Sequence, residues 1–323
     1  MFKIIVVGFL NTDIVASGIT EFPNPGEHVY AKNLQIGPGG KSRNLAQMVG
    51  VLSKNDSVVM LGKTVKDPYG LWKPPVDSLK QAGVNTEHII IERFEDVQKM
   101  PGIALIPVNT KGENQIIVAP GISDDFTVED LESSKDLFEK VADNDGYLAL
   151  TMECSVPVFQ KAIEIASQLN IKIILDPGGI QKGDNFAELL SHPLFLLKPN
   201  EHEAKIITGI EVVDLESATL AAKKIESKFS VQNVIITHGD KGAYLFEEGK
   251  EPAHVIPQRI DKSAVVDTTG CGDQTMATFI AELIEGESLV EATQKAVISG
   301  TLQCQRIGIV PVEKRDFEET SFV

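Results

Sequence analysis

The chain has 323 residues, 42% hydrophobic and 24% charged, which excludes wholesale disorder and fibrous repeats and leaves enough chain for a sizeable core. Its 30 basic and 46 acidic residues give a net charge of −16, which repels a phosphate backbone and argues against nucleic acid as a partner, though not against a local pocket for a small phosphate. No apolar run reaches the roughly 18 residues of a membrane helix, the opening MFKIIVVGFL lacks the marks of a signal peptide, and three scattered cysteines suit a reducing cytoplasm without disulfides or structural zinc.

Phe2 to Phe9 is an apolar, β-branched run ending near Gly8, the pattern of a buried strand. Residues 28–36 have no helical periodicity. Leu45, Met48, Val49 and Leu52 recur at helical spacing, and Val58–Leu61 reads as a strand. Ile103–Val108 and Gln115–Ala119 flank Asn109-Thr110-Lys111-Gly112-Glu113-Asn114, a hairpin signal. Further on, the short apolar runs Tyr147–Met152, Ile171–Leu175, Leu194–Leu197 and Val234–Thr237 alternate with helical stretches at 157–169, 201–208 and 215–228. This alternation predicts an α/β fold with a mostly parallel, doubly wound sheet covered on both faces. The β-rich interruptions predict a small antiparallel flap. With no long linker or repeat, the expected organisation is one domain over 1–323 carrying insertions at about 11–38 and 93–120.

The strongest chemical signal is Asp267-Thr268-Thr269-Gly270-Cys271-Gly272-Asp273, followed by a helical run from Gln274 to Leu283. Small residues at a helix start turn free amides inward and, with the helix dipole, make an anion site. An acid there suits a base that takes a proton from an attacking hydroxyl; alternatively Asp273 only complements the dipole. Cys271 at the helix start is expected to have a lowered thiol pKa.

Gly37-Pro38-Gly39-Gly40-Lys41-Ser42-Arg43-Asn44 leads into another helix. Its glycines permit close backbone approach, and Lys41 and Asn44 offer donors from the first turn; a plain loop capped into a helix is the alternative. It is not a Walker A loop, because the first glycine of that pattern falls on Gln35. Pro199-Asn200-Glu201-His202-Glu203 reads either as a capping box or as a Mg²⁺ holder acting through water. Thr237-His238-Gly239-Asp240-Lys241-Gly242 reads as a tight turn or as a loop at the ligand edge of the sheet.

Taken in order, these elements resemble the ribokinase family, the PfkB carbohydrate kinases. Gly39-Gly40-Lys41 with Asn44, and the run Asp267 to Asp273, resemble the family's two signatures. Gly8, Asn11 and Asp13 resemble its sugar-contacting start. Phe22-Pro23-Asn24-Pro25-Gly26-Glu27 and Val108 to Asn114 look most like the ribokinase branch. The resemblance implies a three-layer α/β/α core with a small β-lid that often serves as a homodimer interface. It also implies ATP as donor and a sugar, D-ribose first, as acceptor. It places the sugar against Asn11, Asp13, Gly39, Gly40, Lys41, Asn44 and Glu153, with Asp273 as base. It places ATP against Asn200, Glu203, Thr237, Gly239, Asp240, Gly242, Gly270, Cys271 and Gly272. Mg²⁺ would be held through water by Asn200 and Glu203, and a monovalent cation such as K⁺ by Asp267, Thr269 and Gly308.

Some positions depart from the family pattern. Ser42-Arg43 replaces a small pair, so Arg43 is expected to reach solvent or an extra anionic group on the acceptor. Asp176-Pro177-Gly178-Gly179 and Cys271 are also unusual, and the tail after Gly308 is short. Other acceptors, namely another sugar, a nucleoside or a sugar phosphate, are the alternatives within the class. A dinucleotide-binding oxidoreductase fits poorly, since Gly8 stands alone and Thr275 occupies the third glycine position after Gly270 and Gly272. A non-catalytic sugar sensor has no need of Asp273.

Overall fold

The computed structural model describes residues 1–318 except 55, 181–182, 184–185, 191, 258–259 and 262–263. Its strands are β1 (Ile4–Val7), β2 (Asn11–Ile19), β3 (Asn33–Gly39), β4 (Val58–Lys66), β5 (Ile89–Arg93), β6 (Gly102–Asn109), β7 (Ile117–Ala119), β8 (Tyr147–Thr151), β9 (Lys172–Asp176), β10 (Leu194–Leu197), β11 (Val231–Thr237), β12 (Ala243–Glu247) and β13 (Ala253–Val255). Nine of them form one sheet in the order β13-β12-β11-β10-β9-β8-β1-β4-β5. Pairing is parallel from β5 to β11 and antiparallel at β12 and β13. The predicted mostly parallel α/β sheet is therefore present; the antiparallel edge was not anticipated.

Why the central strands read as unbroken apolar runs is visible in β1. Successive side chains of a strand point to opposite faces. Ile5 and Val7 enter one core with Leu148 and Leu150 of β8, while Ile4 and Val6 enter the other with Val58 and Met60 of β4. Helices on both faces supply the remainder: Val156–Gln168 and Leu215–Lys228 bury their apolar sides in the first core, and Lys41–Leu52 and Cys271–Glu285 in the second. Both faces of the central strands are covered by helices, so these strands read as apolar runs without alternation.

The remaining strands make a separate sheet, β3-β2-β6-β7, which is mixed and not the antiparallel flap expected, because β2 and β6 run parallel while β3 and β7 pair antiparallel at its edges. The β6–β7 hairpin lies where Asn109 to Asn114 predict it, with Ile103 paired to Ala119. Alternation along β2 gives this sheet two unlike faces. Ile14 aligns with Ile36 on β3 and Leu105 on β6, and Leu105 aligns with Ile117 on β7. Ile36, Leu105 and Ile117 in this row are exposed, at 54%, 45% and 61%. Asp13, one residue away, projects from the opposite face.

Candidate active site

The carboxyl ends of β1, β8, β9, β10 and β11 share one edge of the large sheet, where open α/β sheets bind ligands. The chain just beyond them carries most of the residues singled out from sequence. Gly8 ends β1 and lets the Lys41–Leu52 helix come close: a Cβ there would lie 2.1 Å from Ser42 Oγ. The Ser42 hydroxyl is bonded to Thr151 Oγ1 at 2.7 Å, which seats the helix start on the end of β8. Gly39 has the same function toward β2, since a Cβ would lie 1.7 Å from Asp13 Oδ1. These two glycines allow helix, strand and carboxylate to converge.

Around this junction, Glu153 Oε2 accepts the Lys41 backbone N–H at 2.6 Å, Lys41 Nζ lies 3.8 Å from Asp273 Oδ1, and Asn44 Nδ2 donates to Asp273 Oδ2 at 2.8 Å. Asn44 and Asp273 are buried, and Lys41 is partly open. The Lys41 ammonium is stabilised chiefly by Asp273, which raises its pKa. Burial pushes Asp13 up to about 6, opposed by the charge of Arg43, and pushes Glu153 up to about 7, opposed by Lys41. Asn11 is buried, and among the described residues its Oδ1 has no hydrogen-bond partner. The structure thus brings Asn11, Asp13, Gly39, Gly40, Lys41, Asn44, Glu153 and Asp273 into one polar cluster.

Asp273 enters the cluster from the first turn of the Cys271–Glu285 helix. Gly270 precedes this helix at φ 76°, a left-handed conformation natural to glycine. No side chain caps the helix, and the Cys271 N–H turns back to the Thr268 carbonyl at 3.3 Å. Gly272 and Asp273 lie in the same first turn, and an uncapped helix start of this kind is chemically suited to an anion. Asn200 and Glu203 form a reciprocal capping box, with Asn200 Oδ1 accepting from Glu203 N at 2.8 Å and Glu203 Oε2 from Asn200 N at 2.9 Å. Asn200 also bridges to Thr237 at the end of β11, and the turn Gly239–Lys241 follows, with Gly239 and Asp240 exposed and Gly242 closing it by accepting from His238 N at 2.7 Å.

Sequence reading missed Lys198. It is buried, immediately after β10, with Nζ 2.8 Å from buried Asp176 Oδ2. Burial raises the Asp176 pKa, but Lys198 and then Lys41 outweigh it and hold the carboxyl below the ordinary range; Glu203 is raised by burial and then by Asp176. A lysine directly after a fully apolar strand was the available signal. Arg43 contradicts its sequence expectation. It is fully buried, reaching neither solvent nor an open acceptor pocket, because its guanidinium is taken up by Gly39, Asn44, Gln47 and Ser78. The lowered thiol expected at Cys271 is also reversed. Its Sγ lies 2.7 Å from Cys304 Sγ, and that hydrogen bond followed by burial raises the Cys271 pKa while Cys304 is lowered.

The residues suit one implied ion better than the other. Among the described residues no group of three or more His, Cys, Asp or Glu side chains converges on a metal position. The capping box leaves Glu203 Oε1 for a water, so Mg²⁺ fits as an ion held mainly by phosphate and water. At the Asp267 loop, Oδ1 accepts from Thr269 N at 2.9 Å and Oδ2 from Gly308 N at 2.8 Å. Gln303 Nε2 donates to the Gly308 carbonyl at 2.8 Å and lies 3.5 Å from that of Thr269. A donor already stands against the carbonyls that K⁺ would need, so this loop does not fit the ion.

Residues 1–315 match the pattern described as pfkB family carbohydrate kinase. The chain is similar to a ribokinase of Haemophilus influenzae, 31% identical over 297 residues and covering 89% of this chain and 87% of that protein. It is also similar to a deoxyribokinase of Salmonella typhi, 27% identical over 299 residues, covering 91% and 90%. Its fold matches the structure of Arabidopsis thaliana ribokinase complexed with ribose and ATP, with a TM-score of 0.84, 25% identity, and 98% and 97% of the two chains covered. The chain belongs to the PfkB family and is a sugar kinase, a phosphotransferase with an alcohol group as acceptor.

Proposed function

We propose that this sugar kinase transfers the γ-phosphoryl group of ATP to the primary hydroxyl of D-ribose, with Asp273 as the base. One observation carries the assignment of the base: Asp273 sits in the uncapped first turn of a helix, with Asn44 and Lys41 bonded or close to its two oxygens. This position supports a base that would meet the acceptor among the polar side chains on one side and the transferring phosphate at the free helix amides on the other.

The acceptor would lie against Asn11, Asp13, Gly39, Gly40, Lys41, Asn44 and Glu153. The unpartnered Asn11 Oδ1 supports a polyhydroxylated ligand, since a buried unpaired acceptor costs about 1–3 kcal/mol that a hydroxyl donor recovers. Asp273 Oδ1 would take the proton of the primary hydroxyl as that oxygen bonds to the γ-phosphorus and the β,γ-bridging oxygen leaves with ADP. Lys41 neutralises charge beside it. The amides at Gly270, Cys271 and Gly272 would face the transferring group, while Asn200, Thr237, Gly239, Asp240 and Gly242 would line the nucleotide. Mg²⁺, held through water at Asn200 and Glu203, would supply charge neutralisation on the phosphates. Catalysis would come mainly from positioning and electrostatics.

Ribose as acceptor is supported by the names of the Haemophilus and Arabidopsis relatives. The Salmonella deoxyribokinase favours 2-deoxyribose as the second reading. The small sheet would act as the lid, and its exposed row of Ile36, Leu105 and Ile117 supports a homodimer through that face. Free thiols at Cys154, Cys271 and Cys304 suit a cytoplasmic enzyme.

The test is ATP-dependent ADP release measured across D-ribose, 2-deoxyribose, fructose, adenosine and fructose phosphates. The highest kcat/KM is expected with ribose. A nucleoside, a sugar phosphate or an apolar alcohol as best acceptor would overturn the assignment.

A further inference from the structure

Arg43 is an unusual residue to find without exposed surface. Burying a guanidinium is costly unless its N–H groups are bonded and its charge is balanced. The hydrogen bonds are present: Nε donates to the Gly39 carbonyl at 3.2 Å, Nη1 to Ser78 Oγ at 3.3 Å and to Gln47 Oε1, and Nη2 to Asn44 Oδ1. All four acceptors are neutral, and among the described residues no carboxylate forms an ion pair with Arg43 within 4.0 Å. The balancing charge lies one layer further on. The charged groups facing this cluster are Asp13 from β2, Lys41 and Arg43 from the Lys41–Leu52 helix, Glu153 beyond β8 and Asp273 from the Cys271–Glu285 helix, with Asp176 at the end of β9 and Glu203 acting on Lys41 from its other side. The field of Arg43 acts on Asp13, Asp273 and Glu153.

The bond to Asn44 has a directional consequence. An amide presents oxygen on one side and NH₂ on the other. With Oδ1 engaged by Arg43, Nδ2 must face Asp273, where it donates at 2.8 Å. The flipped amide would set oxygen against the Asp273 carboxylate and its NH₂ group against the guanidinium N–H of Arg43. Gly39, also bonded by Arg43, is the residue against which Asp13 packs. One guanidinium therefore holds the backbone beside Asp13 and the side chain beside Asp273.

We propose that Arg43 is a positioning residue for phosphoryl transfer: it fixes Asn44 in the orientation that donates to Asp273, and it supplies the buried positive charge that offsets Asp13 and Asp273. This rests on the reading of Asp273 as the base. Arg43 needs no contact with either substrate, and its effect reaches the reaction through Asn44 and through the field.

The experiment compares Arg43→Gln, which removes the charge, with Arg43→Lys, which keeps the charge but not the planar fork. The readouts are kcat, KM for ATP, and the pH profile of kcat/KM for ribose. Removing a cation near a carboxylate raises that carboxyl's pKa by about one unit or more. Asp13, already at about 6, then moves the acidic limb of Arg43→Gln upward by about one pH unit. The kcat of both variants falls by about 10²-fold, the scale of a ~1 Å misplacement, while KM for ATP stays within about twofold. Arg43→Lys keeps the acidic limb of the unsubstituted enzyme, which a purely structural residue would not do selectively. A folded Arg43→Gln enzyme with an unmoved limb and nearly full kcat overturns the proposal. If Arg43→Gln does not fold, Arg43→Lys decides alone: reduced kcat with an unmoved limb supports it, and full kcat overturns it. Asp273→Asn, assayed in parallel, separates the two claims, because full activity there defeats the base assignment whatever the Arg43 variants do.

Discussion

Asn44 and Asp273, 229 positions apart, meet through a 2.8 Å hydrogen bond from Nδ2 to Oδ2 that joins the first turns of two helices. Each helix approaches the same edge of the large sheet, and each brings a different half of the candidate site. The bond is therefore both a tertiary clamp and a means of aiming the carboxylate.

Asn44→Ala should consequently affect both stability and rate. A hydrogen bond to a charged group contributes about 1.5–3 kcal/mol, so unfolding in denaturant should show a loss of that order. kcat should fall while KM for ATP changes little. Unchanged stability with a lowered kcat would leave the bond a purely catalytic contact.

Glu153 gives the apo protein a characteristic pH dependence. Its carboxyl, raised by burial to about 7, holds a proton in the folded state that the unfolded chain has already released. The folded form thus binds more protons between about 4.5 and 7, and this residue's contribution to stability falls as pH rises through that window, then levels off. Glu153→Gln should flatten the slope in unfolding free energy between pH 5 and 8. An identical slope in both proteins would contradict the desolvated placement.

Lys198 and Asp176 form a buried pair at 2.8 Å, so removing one partner leaves an uncompensated charge. Lys198→Met should destabilise the protein by about 3–5 kcal/mol, with partial recovery in the Lys198→Met, Asp176→Asn double variant. Unfolding free energies of the unsubstituted protein, Lys198→Met, Asp176→Asn and the double variant, compared in one cycle, check this directly.

The contact between Cys271 and Cys304 predicts an order of thiol reactivity. Cys304 is lowered by the hydrogen bond from Cys271, whose own pKa is raised. Brief treatment with iodoacetamide should alkylate Cys304 before Cys271, as read by peptide mass spectrometry. The reverse order would show that helix placement governs Cys271 after all.

Much of this was legible in the chain. Strands buried on both faces carry unbroken apolar runs, so β1, β8, β9 and β10 were visible, as were the helices Glu201–Thr208 and Leu215–Lys228. The antiparallel edge was missed: β12 carries the buried apolar run Ala243 to Phe246, which sequence reading passed over beside the Thr237–Gly242 loop, and β13 is only three residues long. The motifs around Lys41 and Asp273 revealed which residues would converge, because glycines beside polar residues at helix starts have a local physical meaning. Arg43 and Lys198 were opaque for the opposite reason. A charged side chain reads as exposed until its packing is known: Asp176 is distant from Lys198 in sequence, and the burial of Arg43 depends on how its helix packs although Gly39, Asn44 and Gln47 are local. The pairing of Cys271 with Cys304 likewise depends on how two helices pack.

The proposed phosphoryl transfer turns on Asp273 as the base. A general base contributes about 10²–10⁴-fold, so Asp273→Asn should lower kcat for ribose phosphorylation by at least about 10²-fold while ATP binds with nearly unchanged affinity. A folded Asp273→Asn enzyme that phosphorylates ribose at close to the full rate would contradict it.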